Sequence, residues 1–336
     1  MIDYVHLTTT YPVSEDVFEN THWSRFTFKD GTPVIYHRQH AVWIRYYPLK
    51  GRWTITGKII TLLFDTQVAN VDDVYGSDLQ AFAADINDCL QGLVNIPIPD
   101  IQEWEVSRID YCFNILTPYV DAYLDVMNEG FRMANNGSRV NYTQQKKLTG
   151  SAYIKTKIDY KDNTRRNYVL NYYDKFDRLE FLQKRGTQIP AADWQWATNI
   201  LRLEVQCGYV FIKELCEKLN ISRAFGALLS YKVAYYAEVM IYRRVFKADA
   251  DQDYFAYHMA KKRLGKQRKA LEVLERSAEH HRITDSKYAY GRKQIQKAGI
   301  FPFAFLKKGS GVEVLENPLK LILGKMTAMG TEEECA

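Results

Sequence analysis

The chain has 336 residues, of which 46% are hydrophobic and 25% charged, and its net charge is +5. This length allows one large core or two domains, and the composition is ordinary for a globular protein. The five cysteines show no C-x-x-C pair and no finger-like spacing, so we expect reduced thiols rather than a zinc finger. No apolar run is long enough to span a bilayer, and the first residues lack a signal-peptide pattern. The sequence therefore predicts a cytoplasmic protein without a membrane partner.

Tyrosine is unusually frequent, with 24 Tyr beside 16 Phe and 6 Trp. Aromatic rings favour β-strands, and they also stack on unpaired bases. The small positive net charge permits a nucleic-acid partner without requiring one.

The first two hundred or so residues alternate in the manner of strands, broken by Gly, Asn and Asp turns. The predicted strands lie in the segments WSRFTFKDG, TPVIYHRQ, AVWIRYYPL, RWTITGKIITLLF, WEVSRIDYCFNIL, SAYIKTKIDY, RNYVLNYYDKF and ILRLEVQCG. Two helix patterns interrupt them, at about 77–93 and 119–135, and residues 135–151 are predicted as a polar loop or hairpin arm.

From about residue 211 the pattern changes to helix, with candidates near 211–219, 223–245, 253–280 and 285–298. Residues 241–308 contain 17 Lys and Arg against 7 Asp and Glu, a net of +10. Such a basic helical region is typical of a surface that contacts the DNA backbone, although a solvated basic helix face is equally frequent. We therefore predict an α+β protein, with an antiparallel-sheet region over 1–210 and a helical region over 211–336.

Three of the predicted strands can be divided by parity, because alternate side chains of a strand point to opposite faces. Their apolar faces carry Ile109, Tyr111, Phe113 and Ile115; Tyr168, Leu170 and Tyr172; and Leu201, Leu203, Val205 and Cys207. Their opposite faces carry Val106, Arg108, Asp110, Cys112 and Asn114; Asn171, Tyr173 and Lys175; and Arg202, Glu204 and Gln206. Parity thus places Tyr172 on the core side and its neighbour Tyr173 on the polar side.

If the three strands are neighbours in one sheet, Asp110, Glu204, Tyr173 and Lys175 can converge. Two carboxylates suit a hard cation such as Mg²⁺ or Mn²⁺, which would polarise a phosphate. A tyrosine hydroxyl suits nucleophilic attack on DNA because the phosphotyrosine bond keeps the phosphoester energy, and a lysine can steady the phenolate or the phosphate. The same alternation is also the normal pattern of an antiparallel sheet with a solvated outer face, and by itself it favours that interpretation.

Three segments resemble those of the replication initiators of filamentous bacteriophages, the gene II and gene X proteins, and of related rolling-circle plasmid initiators. They are VSRIDYCFN (106–114), VLNYYDKFDRLE (169–180) and LRLEVQ (201–206), in the family's order and at similar spacing. Two weaker similarities, near ITGKIITLLF and over 288–307, extend the resemblance over most of the chain.

The resemblance implies a palm-like sheet of the rolling-circle initiator type and site-specific nicking of one strand at a replication origin, followed by rejoining. The family tyrosine, which would hold the 5′ end covalently, falls on Tyr173, and its lysine falls on Lys175. The two acids fall on Asp110 and Glu204, as ligands of Mg²⁺ or Mn²⁺. The His-x-His pair of many such initiators is absent, which leaves a third ligand unidentified, with His37 or His40 as candidates.

The implied partner is DNA, as an origin duplex or hairpin and as a single strand at the nick, and a host helicase, a single-strand-binding protein and a homodimer are further candidates. The predicted DNA contacts are Arg108, Arg202, Arg243, Arg244, Lys261, Lys262, Arg263, Lys266, Arg268, Arg292 and Lys293. Arg108 can equally pair with Asp110. Residues 284–300 are predicted as a groove-reading helix or a plain surface helix, and DRLE (177–180) as a capping box.

Two other functions fit the same residues. A relaxase or single-strand transposase would use the same chemistry on a different DNA. A non-catalytic origin-binding regulator would need the basic helices but not Tyr173.

Overall fold

The computed structural model describes residues 1–19, 22–94, 96–134, 140–141, 151–156, 168–246, 252–255, 257–267, 269, 285–297 and 313–329. Within these residues the predicted α+β class is confirmed: one large antiparallel sheet is packed against helices. None of the helices described is long and apolar enough to cross a membrane.

Ten of the described strands form the large sheet, and two short ones form a separate pair. The strands are β1 (Ile2–Thr10), β2 (Ser24–Thr27), β3 (Pro33–Gln39), β4 (Val42–Tyr47), β5 (Arg52–Gly57), β6 (Glu105–Leu116), β7 (Val140–Asn141), β8 (Ser151–Thr156), β9 (Tyr168–Asp174), β10 (Ile200–Gly208), β11 (Tyr254–Phe255) and β12 (Val314–Leu315). The order across the large sheet is β2-β3-β4-β5-β1-β6-β10-β9-β8-β7, so β1 is central and β10 lies between β6 and β9. Most of the loop predicted at 135–151 lies outside the described residues.

The described helices confirm both predicted N-terminal helices to within two residues and the change to helix near residue 210. They are α1 (Val71–Tyr75), α2 (Leu79–Val94), α3 (Val120–Ala134), α4 (Lys175–Gln183), α5 (Ala191–Ala197), α6 (Tyr209–Leu219), α7 (Phe225–Leu228), α8 (Tyr231–Phe246), α9 (Tyr257–Leu264), α10 (Asp285–Lys297) and α11 (Pro318–Ala328). Helices α6 and α8 contact β6 and β10, and α3 contacts β8 and β9.

The core lies on the face that parity predicted to be apolar. Tyr111, Tyr172 and Leu203 are fully buried there, and the same continuous core includes Val5 of β1 and Ile241 of α8. Removing this much apolar surface from water is the main stabilising contribution to the fold. The same core includes residues from both sides of residue 210, where strand is followed by helix. The division into a catalytic and a helical region at this boundary stays a prediction.

Strand β1 is absent from the strands predicted from the sequence, although it is the central strand and pairs with both β5 and β6. The segment KIITLLF was predicted as part of a strand, but β5 ends at Gly57 and Ile59–Leu62 form a 3-10 helix. Gly57 has φ 144°, and a side chain there would lie 2.3 Å from the carbonyl oxygen of Ala41, so only glycine fits at this turn out of the sheet.

A bulge at Ser107 interrupts the pairing of β1 with β6. His6 pairs with Arg108 and Leu7 with Val106, so Ser107 is an extra residue in β6. The bulge reverses the parity of the residues that precede it. Val106 therefore faces the core, contrary to the prediction that it shares the face of Arg108, and Glu105 lies on that face instead.

Candidate functional site

The three strands predicted to share a polar face are neighbours in the sheet. On β10, Arg202 lies directly opposite Tyr173 of β9, and Gln206 lies directly opposite Asp110 of β6. Glu204 is between these two positions on the same side of β10. The sheet therefore brings Asp110, Glu204 and Tyr173 to one side, which we call the polar face.

Tyr173 and Glu204 are joined by a hydrogen bond, in which the phenol hydroxyl donates to Glu204 Oε2 at 3.0 Å. Gln206 Nε2 donates to the other oxygen, Glu204 Oε1, at 2.8 Å and so orients the carboxylate. A nucleophile beside a base that a third group orients is the arrangement of an activated nucleophile. Parity could place Gln206 on this face, but only the fold reveals its contact with Glu204.

The Tyr173 side chain is only 6% exposed. Burial, together with the charge of Glu204, raises the pKa of its hydroxyl well above the ordinary value, although Arg202 opposes the shift. The phenol therefore keeps its proton in this state, and the carboxylate of Glu204 is the group placed to receive it.

Asp110 is held by Arg108, whose Nε and Nη2 donate to Oδ1 and Oδ2 at 2.8 and 2.6 Å. Burial raises the pKa of Asp110 to about 7, against the opposing effect of Arg108. The guanidinium also stacks on Tyr4, with Cζ 4.4 Å from the ring centre. The structure thus shows Arg108 paired with Asp110, the alternative that the sequence left open, and the side chain still reaches solvent.

Arg202 has no exposed surface, so the DNA contact predicted for it does not fit this arrangement. Its Nε donates to Asn114 Oδ1 and its Nη1 to Asp3 Oδ1, both at 2.9 Å. Its Nη2 donates to Asn70 Oδ1 and to the carbonyl oxygen of Val68. Arg202 is a buried cation that joins three segments of the chain behind the candidate site.

Lys175 is the first residue of α4 and not a strand residue, so the parity prediction does not apply to it. Strand β9 ends because the Asp174 carboxylate caps the helix and accepts the Phe176 N–H at 2.7 Å. Lys175 is nevertheless buried beside Tyr173, with Nζ 5.8 Å from the centre of the ring. Burial lowers the pKa of Lys175 well below its ordinary value, and the neighbouring Arg202 adds to this effect.

A cover of non-strand residues lies over the Arg202 end of the polar face. Asp193 of α5 accepts a hydrogen bond from Thr66 Oγ1 at 2.9 Å, which ties α5 to the segment after β5. Val68, Leu179 and Ala197 form a small apolar cluster in this cover. The cover helps to bury Arg202, whose Nη2 donates to the carbonyl oxygen of Val68.

Within the described residues, no group of three or more His, Cys, Asp or Glu side chains is arranged to hold a metal ion. Asp110 and Glu204 offer hard oxygen donors, and Mg²⁺ often takes only one or two protein carboxylates together with substrate phosphate. The donor chemistry therefore fits a cation shared with DNA, while Arg108 now binds the Asp110 oxygens. His37 faces the core and His40 lies in the turn after β3, a strand about 19 Å from β6 across the sheet. Neither histidine supplies a third ligand.

The predicted DNA contacts of the C-terminal part that the structure describes lie on helices. Arg243 is exposed, whereas Arg244 is paired with Glu214. Helix α8, which carries both arginines, packs on the core side of the sheet, opposite to Tyr173. Among the predicted DNA contacts beyond α8, the exposed ones are Lys262, Arg263, Lys266 and Lys293. Arg268 and the side chains of Lys261 and Arg292 lie outside what the structure describes, and the DNA contacts of all these residues stay predictions.

No family model matches the chain, and no curated protein matches it. Among solved structures it is similar to a rolling circle replication initiator protein from Geobacillus stearothermophilus, with a TM-score of 0.28 and 10% sequence identity. The match covers 65% of this chain and 77% of that chain. That protein is of the general class that the motifs predict, but the TM-score is too low for the likeness to carry an argument about fold or function.

Proposed function

We propose that this protein initiates rolling-circle replication by nicking one DNA strand through attack of Tyr173 on a phosphodiester. The observation that carries the proposal is the hydrogen bond of 3.0 Å between Tyr173 Oη and Glu204 Oε2. A phenol that donates to a carboxylate can lose its proton as it attacks, which makes it a competent nucleophile at neutral pH. The order and spacing of the three motifs favour DNA as the substrate.

In the proposed reaction Tyr173 Oη bonds to phosphorus and the bond from phosphorus to the 3′ oxygen breaks. Glu204 receives the phenol proton while Gln206 holds its carboxylate, and the leaving 3′ oxygen takes a proton from water. The products are a 5′-phosphotyrosine and a free 3′ hydroxyl, and attack by a 3′ hydroxyl reverses the step. Arg202 supplies positive charge that favours the negative charge developing on the Tyr173 oxygen. Lys175 lies beside the Tyr173 ring and would stabilise the phenolate or the phosphate by donating a hydrogen bond.

Asp110 and Glu204 are the residues that would hold Mg²⁺ or Mn²⁺ in this proposal, together with phosphate oxygens of the DNA. The cation would offset the charge on the scissile phosphate. Arg108 pairs with Asp110 in this structure and would have to release it for a cation to bind. The partly exposed Arg108 side chain could then bind a phosphate.

Trapping of the covalent product tests the proposal. Wild type, Tyr173→Phe and Tyr172→Phe are incubated with labelled single-stranded oligonucleotides that tile the DNA around the gene, with Mn²⁺ or with EDTA. We expect an adduct that survives denaturation in wild type and Tyr172→Phe, none in Tyr173→Phe, and none in EDTA. Tyr172 is the matched control because it is the adjacent residue of the same strand and faces the core. An adduct that persists in Tyr173→Phe and is lost in Tyr172→Phe would contradict the assignment.

A non-catalytic DNA-binding regulator is the second candidate, and the burial of Tyr173 favours it. For that function the oligonucleotides would bind without forming an adduct, and Tyr173→Phe would bind them as wild type does. A relaxase or transposase would form the same adduct, and the sequence of the trapped oligonucleotide, at an origin or elsewhere, separates these functions.

A further inference from the structure

A cleft of about 460 Å³ opens on the polar face at a short distance from the candidate site. Arg52 and Thr54 of β5 and His6 of β1 line it, with Tyr209 of α6 at its side. His6 lies directly opposite Arg108, the residue that holds Asp110. The cleft therefore begins one strand away from the candidate site, on the same face of the sheet.

Two polar groups of this cleft have no partner in the part of the chain that the structure describes. Thr54 is 4% exposed and its Oγ1 makes no hydrogen bond, and the buried Nε of Arg52 makes none either. Buried polar atoms are nearly always satisfied, because leaving one without a partner destabilises the fold. Two such atoms, two residues apart on one strand and lining one cleft, indicate that a ligand supplies the missing partners.

The charge and the rings of the cleft define what it can hold. Arg52 stacks on Tyr47 and Arg223 on Tyr209, each with Cζ 4.7 Å from the ring centre. Among the described residues, the one acid of the lining is Glu105, which is paired with Arg223 at 3.0 Å. No acid of this lining is therefore left to pair with Arg52. A guanidinium next to a hydroxyl suits a phosphate, and guanidinium planes and aromatic rings stack on bases.

The same chemistry continues along the polar face, away from Tyr173. Arg45 of β4 lies directly opposite Thr54, and Trp43 follows on the same side of the strand. Arg45 and Arg38 both stack on Trp43, with Cζ 4.9 and 5.0 Å from the ring centre. A nucleic-acid strand held in the cleft would therefore meet further positive charge and stacking surfaces on β4 and β3.

We propose that this cleft binds one unpaired nucleotide, with its phosphate on Arg52 and Thr54 and its base against Tyr47 or Tyr209. A phosphate and a base occur together both in a DNA single strand and in a free nucleotide. The position on the face of Tyr173 favours the DNA strand, and that preference rests on the proposed function. The binding of a nucleotide in the cleft does not rest on it.

Fluorescence anisotropy of a labelled single-stranded oligothymidylate with the full chain tests the proposal, in EDTA so that no cleavage intervenes. We expect Arg52→Ala to weaken binding about tenfold to a hundredfold and Thr54→Val about three- to tenfold. Arg185→Ala is the matched control, since Arg185 stacks on Phe181 of α4 at 4.2 Å in the same manner but outside the cleft. It is expected to bind as wild type does.

Thermal unfolding of the same variants separates a ligand role from a structural one. Thr54→Val removes an unsatisfied buried hydroxyl, so its Tm is expected to stay equal or rise while its affinity falls. Unchanged affinity in both Arg52→Ala and Thr54→Val, or an equal loss in Arg185→Ala, would overturn the proposal.

Competition identifies the source of the nucleotide. Displacement of the labelled strand by thymidine 5′-monophosphate, with the same dependence on Arg52, supports the cleft and identifies a free nucleotide as its ligand. Displacement by unlabelled single strand alone identifies DNA, and equal displacement by a blunt duplex would overturn an unpaired ligand. Binding that depends on Arg52 without any adduct at Tyr173 would reject the proposed nicking and leave the cleft assignment standing.

Discussion

The two ends of the polar face differ in whether the side chains assigned a role already have hydrogen-bond partners. At the β6–β10–β9 end, Tyr173 and Gln206 donate to the two oxygens of Glu204, and Nε, Nη1 and Nη2 of Arg202 each have an acceptor. The exceptions at this end are Asn70 Nδ2 and Lys58 Nζ, which have no hydrogen-bond partner among the described residues. At the β5 end, Arg52 Nε and Thr54 Oγ1 have no partner among the described residues. A satisfied network holds its geometry before any substrate arrives, which suits chemistry. An unsatisfied one is stabilised only by an added molecule, which suits binding.

The largest effect on the rate of adduct formation is expected at Glu204, because Glu204 is the proposed base for Tyr173. Glu204→Gln keeps the shape of the side chain but cannot take a proton, so we expect adduct formation to slow about 10²- to 10⁴-fold. The single-turnover rate of adduct formation measures it. The control is Glu105→Gln, which removes a carboxylate at the cleft end. Similar rates in the two variants would show that Glu204 has no greater role in adduct formation than Glu105.

Arginines at the two ends are expected to differ in what they contribute to stability. Arg202→Met leaves Asp3 and the other buried partners without their cation, so we expect the free energy of unfolding to fall by about 3 to 5 kcal/mol. Arg45→Met loses a hydrogen bond to Thr56 at 2.8 Å and a partly exposed ring contact, and should cost about 1 kcal/mol. Urea unfolding measures both free energies. Equal losses would show that Arg202 contributes no more to stability than Arg45 does.

Glu238 also has polar atoms without partners among the described residues, since both its carboxyl oxygens are buried and make no hydrogen bond. It lies on the core side of the sheet, away from the cleft, so we expect no ligand there and look for the effect in stability instead. Burial raises the pKa of Glu238 well above its ordinary value, so the folded state keeps the proton. In the unfolded chain the Glu238 carboxyl loses its proton above pH ~4.3. As the pH rises from there to the folded-state pKa, the free energy of unfolding therefore falls by up to about 1.4 kcal/mol per pH unit.

Glu238→Gln cannot titrate and should lack this slope while binding the oligonucleotide as wild type does. Urea unfolding between pH ~5 and ~8 checks the slope. Equal pH dependence in wild type and Glu238→Gln would show that the carboxyl finds a partner and stays ionised.

The smallest effect is expected at Arg38, an exposed residue of β3 beyond the cleft. Arg38→Ala should weaken binding of the single strand about two- to fivefold and reduce the salt slope of binding by about 0.7, the value for one phosphate contact. Anisotropy at several salt concentrations measures both quantities. A change in affinity without a change in the salt slope would point to lost stacking instead of lost charge.

Strand parity predicted the opposite sides of Tyr172 and Tyr173 correctly, because alternation is a local property of the backbone. It also placed Asp110 and Glu204 on the face of Tyr173. Their proximity in space could not be predicted from the alternation. It depends on β10 lying between β6 and β9, and strand order is a property of the whole sheet. The bulge at Ser107, which reverses parity, is equally invisible in the alternation.

The position of Lys175 was predicted wrongly because two aspartates near it can each begin the helix. The sequence DKFDRLE holds two aspartates that can cap a helix, and a capping box beginning at Asp177 was predicted. Asp174 is the observed cap, which starts the helix three residues earlier and removes Lys175 from the strand. Glu180 accordingly lies on the helix surface and pairs with Lys184 at 3.2 Å.

The cleft could not be predicted at all. Its residues come from β4, β5, β1, β6, α6 and the segment that follows α6, and β1 is absent from the predicted strands. The sequence shows Arg52 and Thr54 two apart on a strand, a pattern that a solvated sheet face also produces. Only the missing hydrogen-bond partners distinguish the two cases, and these require coordinates.

The position of β10 has a consequence for when the protein can first act. β10 lies between β6 and β9, although it follows both in the chain. Until it inserts, Asp110 and Tyr173 belong to separate pieces of sheet, and each piece exposes an open strand edge that can pair with another chain. Pairing over such separations is slow. A ribosome-bound chain that ends before residue 204 carries Tyr173 and Asp110 but lacks Glu204. Under the proposed function such a chain has no base for the tyrosine and could not nick DNA.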